Sequence, residues 1–302
     1  TNTMPKTGRL ILTPMLNERG KIIGDFTIAK LGDGHFMIWG STAAQRYHMR
    51  WFERHLPKDG SVRITRHGQK LVGLSIAGPK SRDVLAQLTD EDVSNAAFRF
   101  MDHRAMDIAH CPALINRVTY TGDLGYEIWV APDYQRRLYQ EIMKVGAAHG
   151  IVNFGMRALL AMRLEKNFPT WYRELRPIYG GFEAGMDRFI DLTKNDFIGR
   201  EAAMEEKRNG GTLRRVSMIV EAGDADVLGD EPISHKGKVV GWVTSGGFAH
   251  FVNNSMAQGY VPKELADDLG KGAFEIEIIG EQRKATIIID PPFDPKGERM
   301  RS

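Results

Sequence analysis

Two carboxylates stand where their neighbours give them chemistry to do. Glu127 closes the run TYTGDLGYE at 119–127, and Gly122 and Gly125 there, three residues apart, allow a tight turn to approach a ligand closely. The strand that follows, YEIWV, is rich in aromatics. A carboxylate at its start can accept paired hydrogen bonds from a planar donor edge, such as the amino-pyrimidine side of a pterin. Read alone, the segment is more simply a hairpin with an edge glutamate. Asp25 lies within IIGDFTIAKL at 22–31. If Ile22, Phe26 and Ile28 define the buried face, Asp25 points the other way and by itself reads as a solvated strand carboxylate. Arg157, Arg163 and Glu165 fall in GMRALLAMRLEKNF, which reads as a solvated helix laced by ion pairs. TSGGFAH at 244–250 and GYVP at 259–262 read as structural turns of a barrel.

Other chemistries find no support. None of the nine histidines forms HExxH, HxH or another close metal-ligand pattern. His48 and His55, seven apart on a charged helix, read as surface residues. GxSxG is absent, so there is no nucleophile elbow. Cys111 is the single cysteine, which excludes an internal disulfide and a cysteine-built metal site, and it reads as a small buried apolar residue. The 302 residues carry 41 basic and 38 acidic side chains, a net charge of +3, too even for a nucleic-acid partner. The longest apolar runs, such as ATIII at 285–289, are strand-length, so no membrane span is expected, and no signal peptide is visible.

The elements that must position these residues are antiparallel strands and packed helices. Strands are expected at 9–16, 22–31 and 35–39, joined by glycine-containing turns. A helix follows over 41–56. Further strands are expected at 62–66, 71–77, 97–100, 113–120 and 126–130. Helices are expected at 80–88, at 133–149 with Leu138, Ile142 and Val145 on one stripe, and at 155–166. EEKRNGGT at 205–212 reads as a linker. Beyond it, strands at 214–220, 238–244, 256–261, 273–279 and 283–289 point to a small barrel or sandwich. The class is α+β, antiparallel sheets with packed helices followed by a C-terminal β-barrel, with regions 1–205 and 212–302.

Read in order, eight segments resemble one family across nearly the whole chain: MLNERGKIIGDFTIAKL (15–31), LSIAGPKSRDVL (74–85), TYTGDLGYEIWV (119–130), FGMRALLAMRLEKNF (154–168), FEAG (182–185), DFIGREA (196–202), VVGWVTSGGF (239–248) and GYVP (259–262). They look like the tetrahydrofolate-binding aminomethyltransferase fold. That family includes the T-protein of the glycine cleavage system and the C-terminal half of flavin-dependent dimethylglycine and sarcosine dehydrogenases and oxidases. RLEKNFPTWYREL is similar to the dehydrogenase version.

The resemblance implies roles residue by residue. Asp25 matches the second of the T-protein's two aspartates, the first being Gly24 here, and would act near the reactive nitrogens of folate. Glu127 would hold the pterin, with Tyr126, Tyr120 and Tyr172 around the ring. The T-protein's arginine stands where this chain has Leu159. Its folate contact does not carry over, and Arg157, two residues earlier, is the candidate basic group. The implied activity is capture of the iminium or formaldehyde from oxidative demethylation of a dimethylglycine- or sarcosine-type amine, giving 5,10-methylenetetrahydrofolate. A flavin-free demethylase or aminomethyltransferase, a folate binder of iron–sulfur or RNA-modification pathways, and an inactive folate-binding scaffold are the alternatives. The cysteine motif of those iron–sulfur or RNA-modification folate binders is missing here. The chain opens TNTMPKTGR, and the resemblance implies a fragment with a truncated N-terminus. Any FAD would then belong to a missing domain or a partner subunit. No metal, nucleic acid or membrane is expected. The expected setting is a reducing compartment, cytoplasm or mitochondrial matrix.

Overall fold

A computed structural model describes residues 1–267 and 273–302. The chain divides into two compact units. One comprises Thr1–Met4, Leu12–Thr27 and Met156–Pro295; the other comprises Pro5–Ile11, Ile28–Gly155 and Lys296–Ser302. Strands β1 (Leu10–Leu16), β2 (Ile22–Gly32) and β3 (His35–Trp39) form a three-stranded sheet in that order. They fall where strand-length apolar runs meet glycine turns. Gly34 has φ +67°, the left-handed conformation a tight β2–β3 turn needs.

The second unit is built on a four-stranded antiparallel sheet. Its strands are β4 (Val72–Ala77), β5 (His103–Ile108), β6 (Cys111–Asn116) and β7 (Gly125–Val130), in spatial order β4-β7-β6-β5. Alternation splits the side chains cleanly. Ile76, Ile115, Tyr126, Ile128 and Val130 pack on one face with Val84 and Leu85 of α2 (Ser81–Ala86) and Leu138 and Ile142 of α3 (Pro132–Gly146). Glu127 and Trp129 therefore point to the other face. There a second cluster joins Trp39, Met37, Leu71 and Leu114. The strand expected at 97–100 is a turn, and pairing begins at His103 instead. Residues 62–66 are exposed and make no strand. On α1 (Gln45–His55), His48 is buried, not on the surface as its charged neighbours imply.

The first unit holds a closed six-stranded barrel. Its strands are β8 (Leu213–Val220), β9 (Pro232–His235), β10 (Lys238–Ala249), β11 (Asn254–Pro262), β12 (Phe274–Ile278) and β13 (Glu281–Ile288), in order β10-β11-β8-β13-β12-β9. Closure needs β9, a four-residue strand too short to show alternation in the sequence. The helix α4 (Met156–Glu165) precedes the barrel, and α5 (Arg200–Asn209) runs through the expected linker, which narrows to Gly210–Thr212. The C-cap of α5 is Gly210 at φ +80°.

Glu183 ties the loop before the barrel to its first strand. Its carboxylate accepts from the Gly180 amide at 2.9 Å, the Thr212 amide at 3.0 Å and Lys21 Nζ at 3.2 Å. Burial alone would raise its pKa, but these donors win and bring it down to about 2. A depressed pKa contributes stability above the unfolded carboxyl's range that is lost as pH falls toward 2. Glu183→Gln is expected to cost roughly 2–3 kcal/mol at pH 7, and much less at pH 3, in urea unfolding.

Candidate functional site

The residues predicted for the site divide between the units. Asp25, Arg157 and Tyr172 lie in the barrel-bearing unit; Glu127, Tyr126 and Tyr120 lie in the other.

Glu127 occupies a polar row that three adjacent strands assemble. It pairs in register with Asn116 on β6 and Ser75 on β4, and Asn116 pairs with His103 on β5. His103 Nδ1 and Asn116 Oδ1 are 2.8 Å apart. Trp39 of β3 closes over this row, its ring 5.5 Å from His103 and 6.3 Å from Trp129. Trp129 lies flat along β4 because Gly73 opposite has no side chain; a Cβ there would come within 2.9 Å of the indole. Burial pushes the Glu127 carboxyl pKa up, and the side chains of Asn116 and Trp129 pull partly against it. Neither of those donors reaches standard hydrogen-bond geometry: Asn116 Nδ2 and Trp129 Nε1 are buried without a partner, as is Trp39 Nε1. A desolvated acceptor beside two such unpaired buried donors is costly unless each finds a partner. It matches a planar heterocycle that presents both N–H donors and a carbonyl acceptor, as a pterin does.

The segment 117–124 leading into β7 is tightly built. Arg117 is fully buried and donates to Asn95 Oδ1 at 2.6 Å and to the Phe98 carbonyl. Thr119 and Thr121 hydroxyls are 2.9 Å apart, and Gly122 takes φ +85°. Gly125 serves a different purpose from ligand approach: a Cβ there would press to 3.1 Å on the Ile76 carbonyl and on Thr119. Tyr120 is half-buried in this segment. Tyr126 faces away from Glu127, wholly buried beside Phe98 in the core. Strand alternation puts neighbours 126 and 127 on opposite faces, so aromatic cover on the Glu127 side comes from Trp129 and Trp39 instead.

Asp25 is partly buried on β2 between Gly24 and Phe26, both buried. Burial raises its pKa to about 6, opposed only in part by its own backbone amide. It is thus not the solvated carboxylate its strand position implies. A carboxyl poised near neutrality can hold or release a proton at working pH. Arg157 is exposed on the first turn of α4. Tyr172 is 65% exposed at φ +67°, with the Arg176 guanidinium 5.8 Å from its ring centre.

The other end of α4 is the opposite of solvated. Arg163 is buried and donates to Glu174 Oε2 and to the Phe168 carbonyl, both at 3.0 Å. Glu174 also accepts from Thr244 Oγ1 at 2.7 Å, from Ser245 Oγ and from the Thr170 amide. Burial opposes ionisation of Glu174, but Arg163 and these donors outweigh it and hold its pKa below the usual range. Glu165 accepts the Phe251 amide at 2.6 Å, and Lys166 pairs with Asp294 at 3.0 Å. The RLEK run is therefore a buried anchor onto the barrel. Thr244 and Ser245 lie within strand β10, not in a turn. Tyr260 of β11 stacks on Tyr179 at 3.6 Å and donates to the Glu174 carbonyl.

Among the described residues, no three His, Cys, Asp or Glu side chains converge as a metal site, and no helix is long and apolar enough to cross a membrane.

Comparison with known proteins accords with this architecture. The chain is 36% identical over 292 residues to the mitochondrial dimethylglycine dehydrogenase of Rattus norvegicus, spanning 96% of this chain and 34% of that protein. It therefore covers about a third of that relative's length. It is 28% identical to an aminomethyltransferase of Desulfitobacterium hafniense, over 91% of this chain and 74% of that one. Its fold matches the crystal structure of the glycine cleavage system aminomethyltransferase T from Bartonella henselae, with TM-score 0.84 and 21% identity over 97% of this chain and 78% of that chain. Residues 1–194 match the GCVT N-terminal domain and residues 214–294 the glycine cleavage T-protein C-terminal barrel domain, so the chain belongs to the glycine cleavage T-protein aminomethyltransferase family.

Proposed function

We propose that the chain transfers a one-carbon unit to tetrahydrofolate, forming 5,10-methylenetetrahydrofolate. The carbon would come from oxidative N-demethylation of a methylated glycine of the dimethylglycine or sarcosine type. The observation that carries this reading is the desolvated Glu127 carboxyl set beside unpaired Asn116 and Trp129 donors. An amino-pyrimidine edge donates to the carboxylate, and the ring carbonyl can take one of the free N–H groups.

In the step itself, the iminium CH2=N⁺ of the demethylated amine adds to the two folate nitrogens. Two C–N bonds form, the C=N bond breaks, and two protons pass from the folate nitrogens to the departing amine. Asp25, with its pKa near 6, is ionised at pH 7–8, so it can stabilise the cation and relay one proton. Holding two reactants together supplies much of the acceleration. The oxidation needs a flavin, which this reading assigns to a separate domain or subunit. The dehydrogenase relative, three times as long, supports that arrangement. The soluble setting we propose is cytoplasm or mitochondrial matrix, with a folate and a small methylated amine as the molecules handled.

A second reading, a plain aminomethyltransferase working with an aminomethyl donor, is supported by the coverage of the Desulfitobacterium relative. Supplying each donor in turn with tetrahydrofolate separates the two.

Glu127→Gln tests the site. It removes one charged acceptor from a paired interaction, so tetrahydrofolate affinity should fall by about 1.5–3 kcal/mol, roughly ten- to a hundredfold. Calorimetry on the full chain reads this directly, and equal affinity would remove Glu127 from the site.

A further inference from the structure

We infer that His103 and Asn116 are positioning residues, which act on the ligand through Glu127 by holding its carboxylate in one orientation. The inference rests on the reading of Glu127 as the ring anchor, and it comes from the cross-strand row. Register aligns His103, Asn116 and Glu127 side by side on β5, β6 and β7. An Asn amide has two unlike ends, an acceptor and a donor. Its Oδ1 end is 2.8 Å from His103 Nδ1, so that nitrogen carries the proton and donates. The Nδ2 end is then left for Glu127. If the amide turned over, Oδ1 would meet the carboxylate and two acceptors would face each other. The Nδ1–H tautomer of His103 is thus what makes the row coherent.

The surroundings leave this arrangement undisturbed by charge. Burial holds the His103 pKa below its ordinary value, keeping the ring neutral with a single N–H to place. Trp39 packs over the ring. Facing the row are Ser75 of β4, Trp129 of β7, Leu114 of β6, Ala105 and the exposed Asp107 of β5, and Trp39 of β3. Asp107 is four residues along the strand from His103. Asp102, next in sequence to His103, is committed to Arg9 and to the Arg99 amide. Asn116 Nδ2 is buried and lacks a full hydrogen bond, so the carboxylate keeps enough freedom to close on a ligand while its resting direction is set.

The test uses the full chain labelled with ¹⁵N. The Trp129 indole N–H, identified by its loss in Trp129→Phe, is followed with pH as a reporter of Glu127 ionisation, and its response should vanish in Glu127→Gln. Asn116→Ala should move the midpoint up by about one pH unit, because a donor to the ionised form is gone. His103→Phe, which keeps a ring under Trp39, should move it the same way by less. Tetrahydrofolate affinity should fall about tenfold in Asn116→Ala and not fall further when Glu127→Gln is already present. Unmoved midpoints in both variants, with unchanged circular dichroism, would overturn the inference. So would additive affinity losses, which would mean Asn116 contacts the ligand independently. Wild-type protein that binds no tetrahydrofolate would sink the folate reading instead, and the midpoint shifts would still decide whether His103 and Asn116 set the Glu127 carboxylate.

Discussion

Asp25→Asn is expected to slow methylenetetrahydrofolate formation by about 10²–10⁴-fold, the usual range for losing a positioned proton carrier, with tetrahydrofolate affinity changed by less than about twofold. The rate is to be measured with tetrahydrofolate and each proposed one-carbon donor supplied in turn. The variant should also be more stable than wild type at neutral pH. The Asp25 carboxyl titrates near 6 when folded, above its unfolded value, because burial disfavours the charge. Such a group is protonated in both states below about pH 4 and adds no cost there; stability falls as pH rises toward 6, and the full cost remains above it. Asparagine removes that cost, so urea unfolding at pH 7–8 should show a gain of roughly 2–3 kcal/mol that disappears by about pH 4. Slower turnover together with higher stability would separate a proton-handling role from damage to the fold. Wild-type turnover in a folded variant would show that Asp25 takes no part.

Arg163→Met should have the largest effect on stability, a loss of about 3–5 kcal/mol in chemical unfolding. Methionine fills much of the same volume, so the cost comes from charge. Glu174 would be left buried without its cation, with Thr244, Ser245 and the Thr170 amide as its donors among the described residues. Replacing Glu174 by methionine as well should recover only part of the loss. The carboxylate would be gone, but the Thr170 amide and the Ser245 hydroxyl would then lack their acceptor. A single variant as stable as wild type would mean that the Arg163–Glu174 pair does not anchor α4 to the barrel.

The fold was legible where local pattern governs it. Alternation and glycine turns mark β1 to β3, and the 138–142–145 stripe marks α3. The barrel showed in its short strands, but β9 at 232–235 is too brief to alternate. EEKR at 205–208 has the charge of a linker, yet it finishes α5, because an exposed helix can be as polar as a loop. Of the proposed site, Asp25 and Glu127 were recognisable as candidates from the segments around them. Their burial was not, since strand position alone places both toward water. His103, Asn116 and Trp39 lie in none of the quoted segments. His103, Asn116 and Trp129 meet through the pairing order of β5, β6 and β7, and Trp39 comes over them from β3 in another sheet, which no local pattern encodes. Arg163 shows the same limit: in sequence an arginine near a glutamate looks like a surface pair, and only the barrel around it shows it to be buried.

The most direct test of the central claim is a crystal structure of this chain with tetrahydrofolate bound under reducing conditions. The account predicts the amino-pyrimidine edge hydrogen-bonded to both Glu127 oxygens, with the ring between Trp39 and Trp129 and at least one of their N–H groups or Asn116 Nδ2 newly paired. Folate bound elsewhere, with Glu127 still facing its own Asn116 and Trp129, would contradict it.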